Sequence, residues 1–469
     1  MIVPQMIQIA MDKFKQTMME LGQTWNTDQL TPDLADQVGQ GLKQALTAAA
    51  QSAYQAFLQF YDPTEPTLEI DGQTLRFKCV SDKTFLTGFG LITLGRNLYQ
   101  ADAGGDSYVP LDHFWGMAGE FATQEVREVA LFSTALVTPE ETEQLLAKCA
   151  WFHPSATAIK NIVQEVGEFV EAHAEELDAA IRAEEIAPAG TRILAASLDG
   201  VNVLLREPGV KRGRPGERPG INESEERATA YKNATVGSIS FYGEVLKDEK
   251  CPQRLASRYV ARMPEDGAPT VKRQWEAELA AAQTQAGPNL TKVLLLDGAR
   301  PLWNYADHQE RFDDYEKLID YCHTTEHLSK AGEALFGKES AEARRWYDTY
   351  RAKLLKEDAA AESILRSIDY HRSGRKLSAE RTKALAQERT FFRRNKGRMT
   401  YADFRRRGLP IGSGPVEAAC KTIVKTRLCR SGMRWSRAGG NHILRLRTAV
   451  KSGRWENFWS HYLCLKDSA

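Results

Sequence analysis

Two aspartates follow apolar runs of the chain: "AASLDG" reaches Asp199 and "LLLDGA" reaches Asp297. Each reads as an acid placed at the end of a buried strand. A carboxylate buried without a partner is costly, so a compensating cation is expected beside it. Lysine or arginine would serve. Mg²⁺ would serve where phosphate oxygens complete its shell, because it prefers oxygen ligands and takes only a few carboxylates. The plainer alternative is that each Asp opens a hairpin, since Asp-Gly is a common turn pair. A third acid, Glu417, stands alone among Lys421, Lys425, Arg427 and Arg430 in "GLPIGSGPVEAACKTIVKTRLCRSG". In the first turn of a helix starting near Pro415 it would complement the helix dipole. It could equally hold a metal ion over a bound polyanion.

Three carboxylates from two strands and a helix are the metal-binding set of a ribonuclease-H-like nucleotidyl transferase. There, two Mg²⁺ ions roughly 4 Å apart clamp the attacking and leaving oxygens of an in-line displacement at phosphorus. Asp199 would bridge both ions, with Asp297 and Glu417 on one each. Lys421 and Lys425, one and two turns after Glu417, would face the same way and hold a DNA backbone.

The elements that must carry these residues follow from periodicity. Residues 1–62 read as helical up to Pro63, and 63–112 as a small β module with a hairpin turn at Asp71-Gly72. Residues 113–188 suggest three helices with tight turns. The second begins at Thr138-Pro139 and runs to about residue 152; the third begins after Pro154-Ser155 with "ATAIKNIVQEVGEFVEAHAEEL". That spacing fits a helix-turn-helix whose last helix would bring Lys160 to DNA. From 189 to 325 the pattern is α/β, the first part of a catalytic core. "RILAASLDG" and "VNVLLRE" read as two strands joined at Asp199-Gly200. "PGVKRGRPGERPGINESEE" reads as a mobile loop, and further strands lie in "NATVGSISFYGEV", "SRYVARM", "TKVLLLDG" and "FDDYEKLID". Residues 326–406 are helical throughout, and 407–469 complete the core with basic helices.

The chain has 469 residues, too many for one hydrophobic core. Its net charge is zero, yet residues 393–469 hold 18 Lys plus Arg against 4 Asp plus Glu. So basic a segment points to nucleic acid, or else to a solvated helical surface. Arg405, Arg406, Arg407 and Arg434 belong to it. Trp435 beside Arg434 could stack on bases, whereas Trp455 and Trp459 suit a core equally well. Seven scattered cysteines without a CxxC pair argue against a disulfide framework or zinc ribbon. His323 and His327, with Glu326 between, could bind zinc but lack a visible third ligand. No apolar run has membrane-spanning length, which sets a cytoplasmic, nucleoid-associated expectation.

The blocks "ASLDGVNVLLRE", "LLLDGARPLWN", "LIDYCHTTEHL", "LPIGSGPVEAACKTIVKTRLCRSGMRWS" and "ILRLRTAVKSGRWENFW" run in order through residues 194–459. In them the chain resembles insertion-sequence DDE transposases of the ISKra type. The resemblance implies a ribonuclease-H-like core interrupted by an all-α insertion, with Asp199, Asp297 and Glu417 as catalytic triad. It implies Mg²⁺, with Mn²⁺ as substitute. "DYCH" matches a C/D-x-x-H signature, which puts Asp320 and His323 beside the active site. The implied activity is cleavage at element ends and 3′-hydroxyl strand transfer into target DNA. The partners are double-stranded DNA and, on symmetry grounds, a second copy of the chain or more. Two alternatives share the fold: a structure-selective nuclease that never joins strands, and a retired transposase that only binds DNA.

Overall fold

The computed structural model describes residues 2–70, 72–102, 104–150, 152–206, 231–246, 249 and 251–468. The loop expected in "PGVKRGRPGERPGINESEE" and the Asp71 half of the expected hairpin turn lie outside the described residues. The chain divides into two units, Met1–Glu165 and Val166–Ala469. No described helix is long and apolar enough to cross a membrane.

The first unit opens with the helices Ile2–Gly22 and Pro32–Phe60, packed against each other. Thr31 caps the second by accepting from the Leu34 N–H at 3.1 Å, with Pro32 at the first helical position. An antiparallel three-stranded sheet follows: β1 (Thr67–Ile70), β2 (Gln73–Thr87) and β3 (Gly90–Ala101). The last two form one long hairpin rather than several short segments. Phe85, Ile92 and Leu94 on its inner face join Leu58 and Leu111 in a core. The helix Pro139–Cys149 starts in the reciprocal cap expected of "TPEE": Glu141 N–H donates to Thr138 Oγ1, and Thr138 N–H to Glu141. The helix expected from residue 156 forms, and a second follows it directly: Ala156–Ala172 and Ala174–Glu184, with His173 between them. The unit boundary falls within the first of these.

The second unit is built on a five-stranded sheet: β4 (Ile193–Leu204), β5 (Tyr231–Tyr242), β6 (Arg254–Arg262), β7 (Thr291–Leu296) and β8 (Glu316–Ile319). Its order is β6-β5-β4-β7-β8. The β4–β5 and β5–β6 pairs are antiparallel, β4–β7 and β7–β8 parallel. The central strands β4 and β7 are near-continuous apolar runs because both faces of the sheet are covered there. Leu194, Ala196, Phe241, Val293 and Leu295 share one core with Trp275 of the helix Pro269–Ala286. The indole of Trp275 donates to the Ser238 carbonyl at 3.2 Å, so its one polar atom is satisfied in the interior. One sequence expectation fails here. β4 runs straight through Asp199-Gly200, with Asp199 opposite Val236 and Gly200 opposite Thr235, so there is no junction between two strands. The Asp-Gly turn preference yields to continuous pairing with β5.

After β8 come the helices Tyr321–Phe336, Ala341–Leu354, Ala360–Ser373 and Ala379–Asn395, with no strand among them. Leu335, Trp346, Ile364 and Phe392 tie them into the core beneath the sheet. The chain returns to the strand ends through a loop at 408–413 and the helix Gly414–Ala419, then closes with Arg437–Lys451 and Trp455–Ser468. Trp455 and Trp459 are buried, as core side chains.

Candidate metal centre and nucleic-acid interface

Parallel pairing joins the strands that lead to the first two acids. Ala195 lies opposite Val293 and Ala196 opposite Leu294. The pairing ends at Ala196, three residues before Asp199, and β7 ends one residue before Asp297; the charge of Asp199 still reaches Asp297. Asp199 Oδ1 accepts from the Gly200 N–H at 2.7 Å, and Asp297 Oδ1 from the Ala299 N–H at 2.9 Å. Burial pushes the Asp297 carboxyl above its ordinary value. The Ala299 N–H and His323 oppose that rise, and the negative charges of Asp199 and Asp320 add to it.

Glu417 reaches the same place from the other end of the unit. Its helix, Gly414–Ala419, starts at Ser413, whose hydroxyl donates to Glu417 Oε1 at 3.0 Å. One turn on, the buried Cys420 thiol donates to Asp199 Oδ2 at 3.3 Å. Burial first, then the Asp199 charge, pushes that thiol well above the usual cysteine range, so it is a neutral donor. Asp320, His323 and Glu417 bring ligand atoms within 4.8 Å of one another. The loop carrying Ser413 is held by two further bonds: Tyr321 N–H to the Ile411 carbonyl at 3.0 Å, and Ser413 N–H to Asp320 Oδ2. Asp320 is fully buried and caps the helix Tyr321–Phe336, its Oδ1 accepting from the His323 N–H at 2.9 Å.

Five groups thus gather at the ends of β7 and β8 and on the exposed end of β4. Among the described residues no lysine or arginine forms an ion pair with Asp199, Asp297, Asp320 or Glu417. A cluster of four acids and one imidazole, unneutralised and oxygen-rich, has the donor chemistry of a divalent cation site.

Glu417 is followed by a π-helical segment, Cys420–Lys425, before the short turn Thr426–Leu428. Such wide turns cluster at functional sites. Cys420, Ile423 and Val424 are buried, while Glu417, Lys421 and Lys425 are all exposed at a spacing of four. An α-helix would let that stripe drift sideways over eight residues; the wider turn takes the drift back. The buried Arg447 guanidinium donates to the carbonyls of Ile423, at 2.6 Å, and Thr422, supplying partners that the altered helix leaves wanting.

The other cations expected to touch DNA divide into two groups. Arg430 and Arg434 are exposed on the same stretch as Lys421 and Lys425. Arg427 is 2 % exposed and lies 5.1 Å from the Trp435 ring centroid, so it packs inward rather than presenting charge to a ligand. Trp435 is itself a structural strut: it bridges to Leu205, accepts from the Arg206 N–H at 2.8 Å, and its indole donates to the Leu428 carbonyl at 3.0 Å. Arg405 donates to the Leu355 carbonyl, Arg406 pairs with Asp358, and Arg407 pairs with Glu316 and Asp403. That run clamps the unit together. Lys160, exposed, pairs with Glu140 at 2.6 Å. His327 is withdrawn from any pairing with His323 on a metal: Glu388 takes its Nδ1 at 2.6 Å and Phe391 stacks on the ring at 3.6 Å.

Ser413 and Cys420 were not singled out from sequence. The signal was available, since both lie within the "IGSGPVEAAC" block, but their roles depend on partners 93 and 221 residues away.

No protein-family model matches the chain, and no curated protein matches it. Among solved structures it is similar to the Drosophila P element transposase strand transfer complex, at 12% sequence identity and a TM-score of 0.22. The likeness covers 71% of this chain and 80% of that one.

Proposed function

We propose that the second unit is a ribonuclease-H-like core and that the chain is a DDE transposase, cutting DNA at element ends and joining the freed 3′-hydroxyl to target DNA. What supports this reading is that Cys420, one turn after Glu417, bonds to Asp199, that the charges of Asp199 and Asp320 reach Asp297, and that Glu417 lies with Asp320 and His323, with no lysine or arginine ion-paired to these acids among the described residues. Asp199, Asp297 and Glu417 would hold Mg²⁺ or Mn²⁺, with His323 as a nitrogen donor at the rim. The bound cations would supply Lewis-acid stabilisation of the attacking and leaving oxygens at phosphorus.

The protein's own groups have definable tasks. Asp320 and Ser413 fix Glu417 and the first turn of the His323 helix relative to each other. The Cys420 thiol orients Asp199, leaving Oδ1 fixed by its own backbone. Lys421 and Lys425, with Arg430 and Arg434 beyond, present exposed cations on the side where Glu417 emerges, suited to holding a phosphate backbone near the carboxylates. The helices between β8 and Gly414 are read as the all-α insertion, and the helix beginning at Ala156 as part of the element-end reader.

The test is an integration assay with the full chain, supercoiled plasmid, a labelled duplex oligonucleotide bearing a free 3′-hydroxyl, and Mn²⁺. Covalent joining of label to plasmid supports a transposase; plasmid nicking without joining supports the nuclease alternative. If Asp199→Asn, Asp297→Asn and Glu417→Gln each leave nicking and joining unchanged, the catalytic reading is wrong.

A further inference from the structure

Beside Asp297 there is a second feature that the carboxylate site does not use. A cleft of about 540 Å³ is lined by Gly298, His327, Lys383, Gln387, Phe391 and Arg394, with Ala386 and Thr390 between them. Among the described residues no carboxylate lines it. Most of its wall is one face of the helix Ala379–Asn395: Lys383, Ala386, Gln387, Thr390 and Arg394 recur at helical spacing and are all exposed. The helix is fastened to the turn that carries Asp297, because Arg394 donates to the Gly298 carbonyl at 3.0 Å. Close approach there requires glycine: a Cβ on Gly298 would lie 2.3 Å from Phe391 Cε2.

Some cations on and just beyond this helix are paired with acids, whereas Arg381 donates to the Ala334 carbonyl and Arg393 is exposed away from the cleft lining. Arg389 pairs with Asp369, and Lys396 and Arg398 just beyond it pair with Glu362 and Asp307. Among the described residues Lys383 and Arg394 have no acidic partner, and both face the cleft. The Gly298 carbonyl orients Arg394 without cancelling its charge. Between the two cations lie Gln387 and an apolar wall of Phe391 stacked on His327. Lys383 and Arg394 are eleven residues apart, about 16 Å along a helix axis. A single phosphate cannot bridge that span, whereas consecutive phosphates of a polynucleotide can.

We propose that this cleft binds the sugar-phosphate backbone of a nucleic-acid strand entering or leaving the carboxylate site, with phosphates on Lys383 and Arg394 and sugars against the Phe391–His327 wall. The proposal rests on the catalytic reading above for the identity of the strand, but not for the polyanion chemistry of the cleft. It extends the expected interface from the stretch after Glu417 to one face of the helix Ala379–Asn395.

The experiment is fluorescence anisotropy of the full chain with labelled single-stranded and duplex oligonucleotides over a salt series, without divalent metal. For Lys383→Gln/Arg394→Gln, the slope of log affinity against log salt should fall by about 1.4 on single strands and about 1.8 on duplex, two phosphates' worth, and affinity near physiological salt by roughly tenfold. Lys383→Arg/Arg394→Lys should retain the wild-type slope. An equal ionic strength of inorganic phosphate should not displace the oligonucleotide. A slope unchanged in the double glutamine variant, with an unchanged melting curve, overturns the proposal. Should that variant melt early, Lys383→Glu decides, since Lys383 is exposed and its removal strands no partner: unaltered binding there is equally fatal. The two readings fail separately. Wild-type protein that neither nicks nor joins DNA, yet shows the slope change, keeps the cleft and loses the transposase. Active wild-type protein with an unmoved slope loses only the cleft.

Discussion

Replacing Asp320 with alanine tests how the candidate site is held together. Asp320 is fully buried, and each of its carboxylate oxygens accepts a backbone N–H: Oδ1 from His323 and Oδ2 from Ser413. Loss of the first bond is loss of an N-cap on the sixteen-residue helix Tyr321–Phe336, worth about 1 kcal/mol. Loss of the second strands the N–H of a residue 4 % exposed, at a further cost of about 1–3 kcal/mol. Asp320→Ala should therefore destabilise the second unit by about 2–4 kcal/mol. Asp320→Asn keeps one acceptor and turns an NH₂ toward the other donor, so it should recover part of this cost but not all. Denaturant unfolding gives the total, and amide hydrogen exchange across 321–336 localises it. Because Ser413 also holds Glu417, metal-dependent cleavage should fall with the exchange protection of that helix. Glu417→Gln, at an exposed position, should change stability by less than about 0.5 kcal/mol while abolishing cleavage. An Asp320→Ala protein within about 0.5 kcal/mol of wild type, the range of a neutral surface change, would refute the view that this carboxylate straps the loop at 408–413 to the sheet.

The Asp297 carboxyl is raised by burial and by its acidic neighbours, so its stabilising share is present only at low pH and is lost as pH rises through its folded value. Asp297→Asn should accordingly melt higher than wild type at pH 7 in chelator, with the gap closing in acid and on adding Mg²⁺; an unchanged or lower melting point in chelator contradicts this. His442, buried and packed on Gly167, is held below its ordinary 6.5 by desolvation. Its contribution is present above pH 6.5 and lost as pH falls through the folded value, so wild type should lose stability below pH 6.5 more steeply than His442→Met in a melting series. Arg447→Lys keeps the charge but replaces the two separate guanidinium nitrogens that meet the Ile423 and Thr422 carbonyls with a single ammonium, and should cost about 1–3 kcal/mol by denaturant unfolding. Calorimetric titration with Mn²⁺ should show uptake by wild type that the Asp199→Asn/Asp297→Asn/Glu417→Gln protein lacks.

Much of the scaffold was legible along the chain because it is set by local chemistry. Thr138, Pro139 and Glu141 announce a helix start whatever surrounds them, and the leucine run before Asp297 can only be a buried strand or helix. The two aspartates drew notice for the same reason: a carboxylate behind an apolar run stands out by its cost. What local chemistry could not decide was pairing. Asp-Gly favours a turn in isolation, yet Asp199-Gly200 is extended because β5 pairs with β4 straight through it, and that competition is invisible until the sheet exists. The same holds for charge. The sequence displays Arg405, Arg406, Arg407 and Arg427 as candidates alongside Lys421 and Lys425. Only the fold turns the first four toward Leu355, Asp358, Glu316 and Trp435 and leaves the two lysines exposed beside Glu417. Residue type fixes what a side chain can do. Which solvent, partner or neighbour it meets is set by contacts between segments separated along the chain, 50 residues for Arg405 and Leu355 and 91 for Arg407 and Glu316.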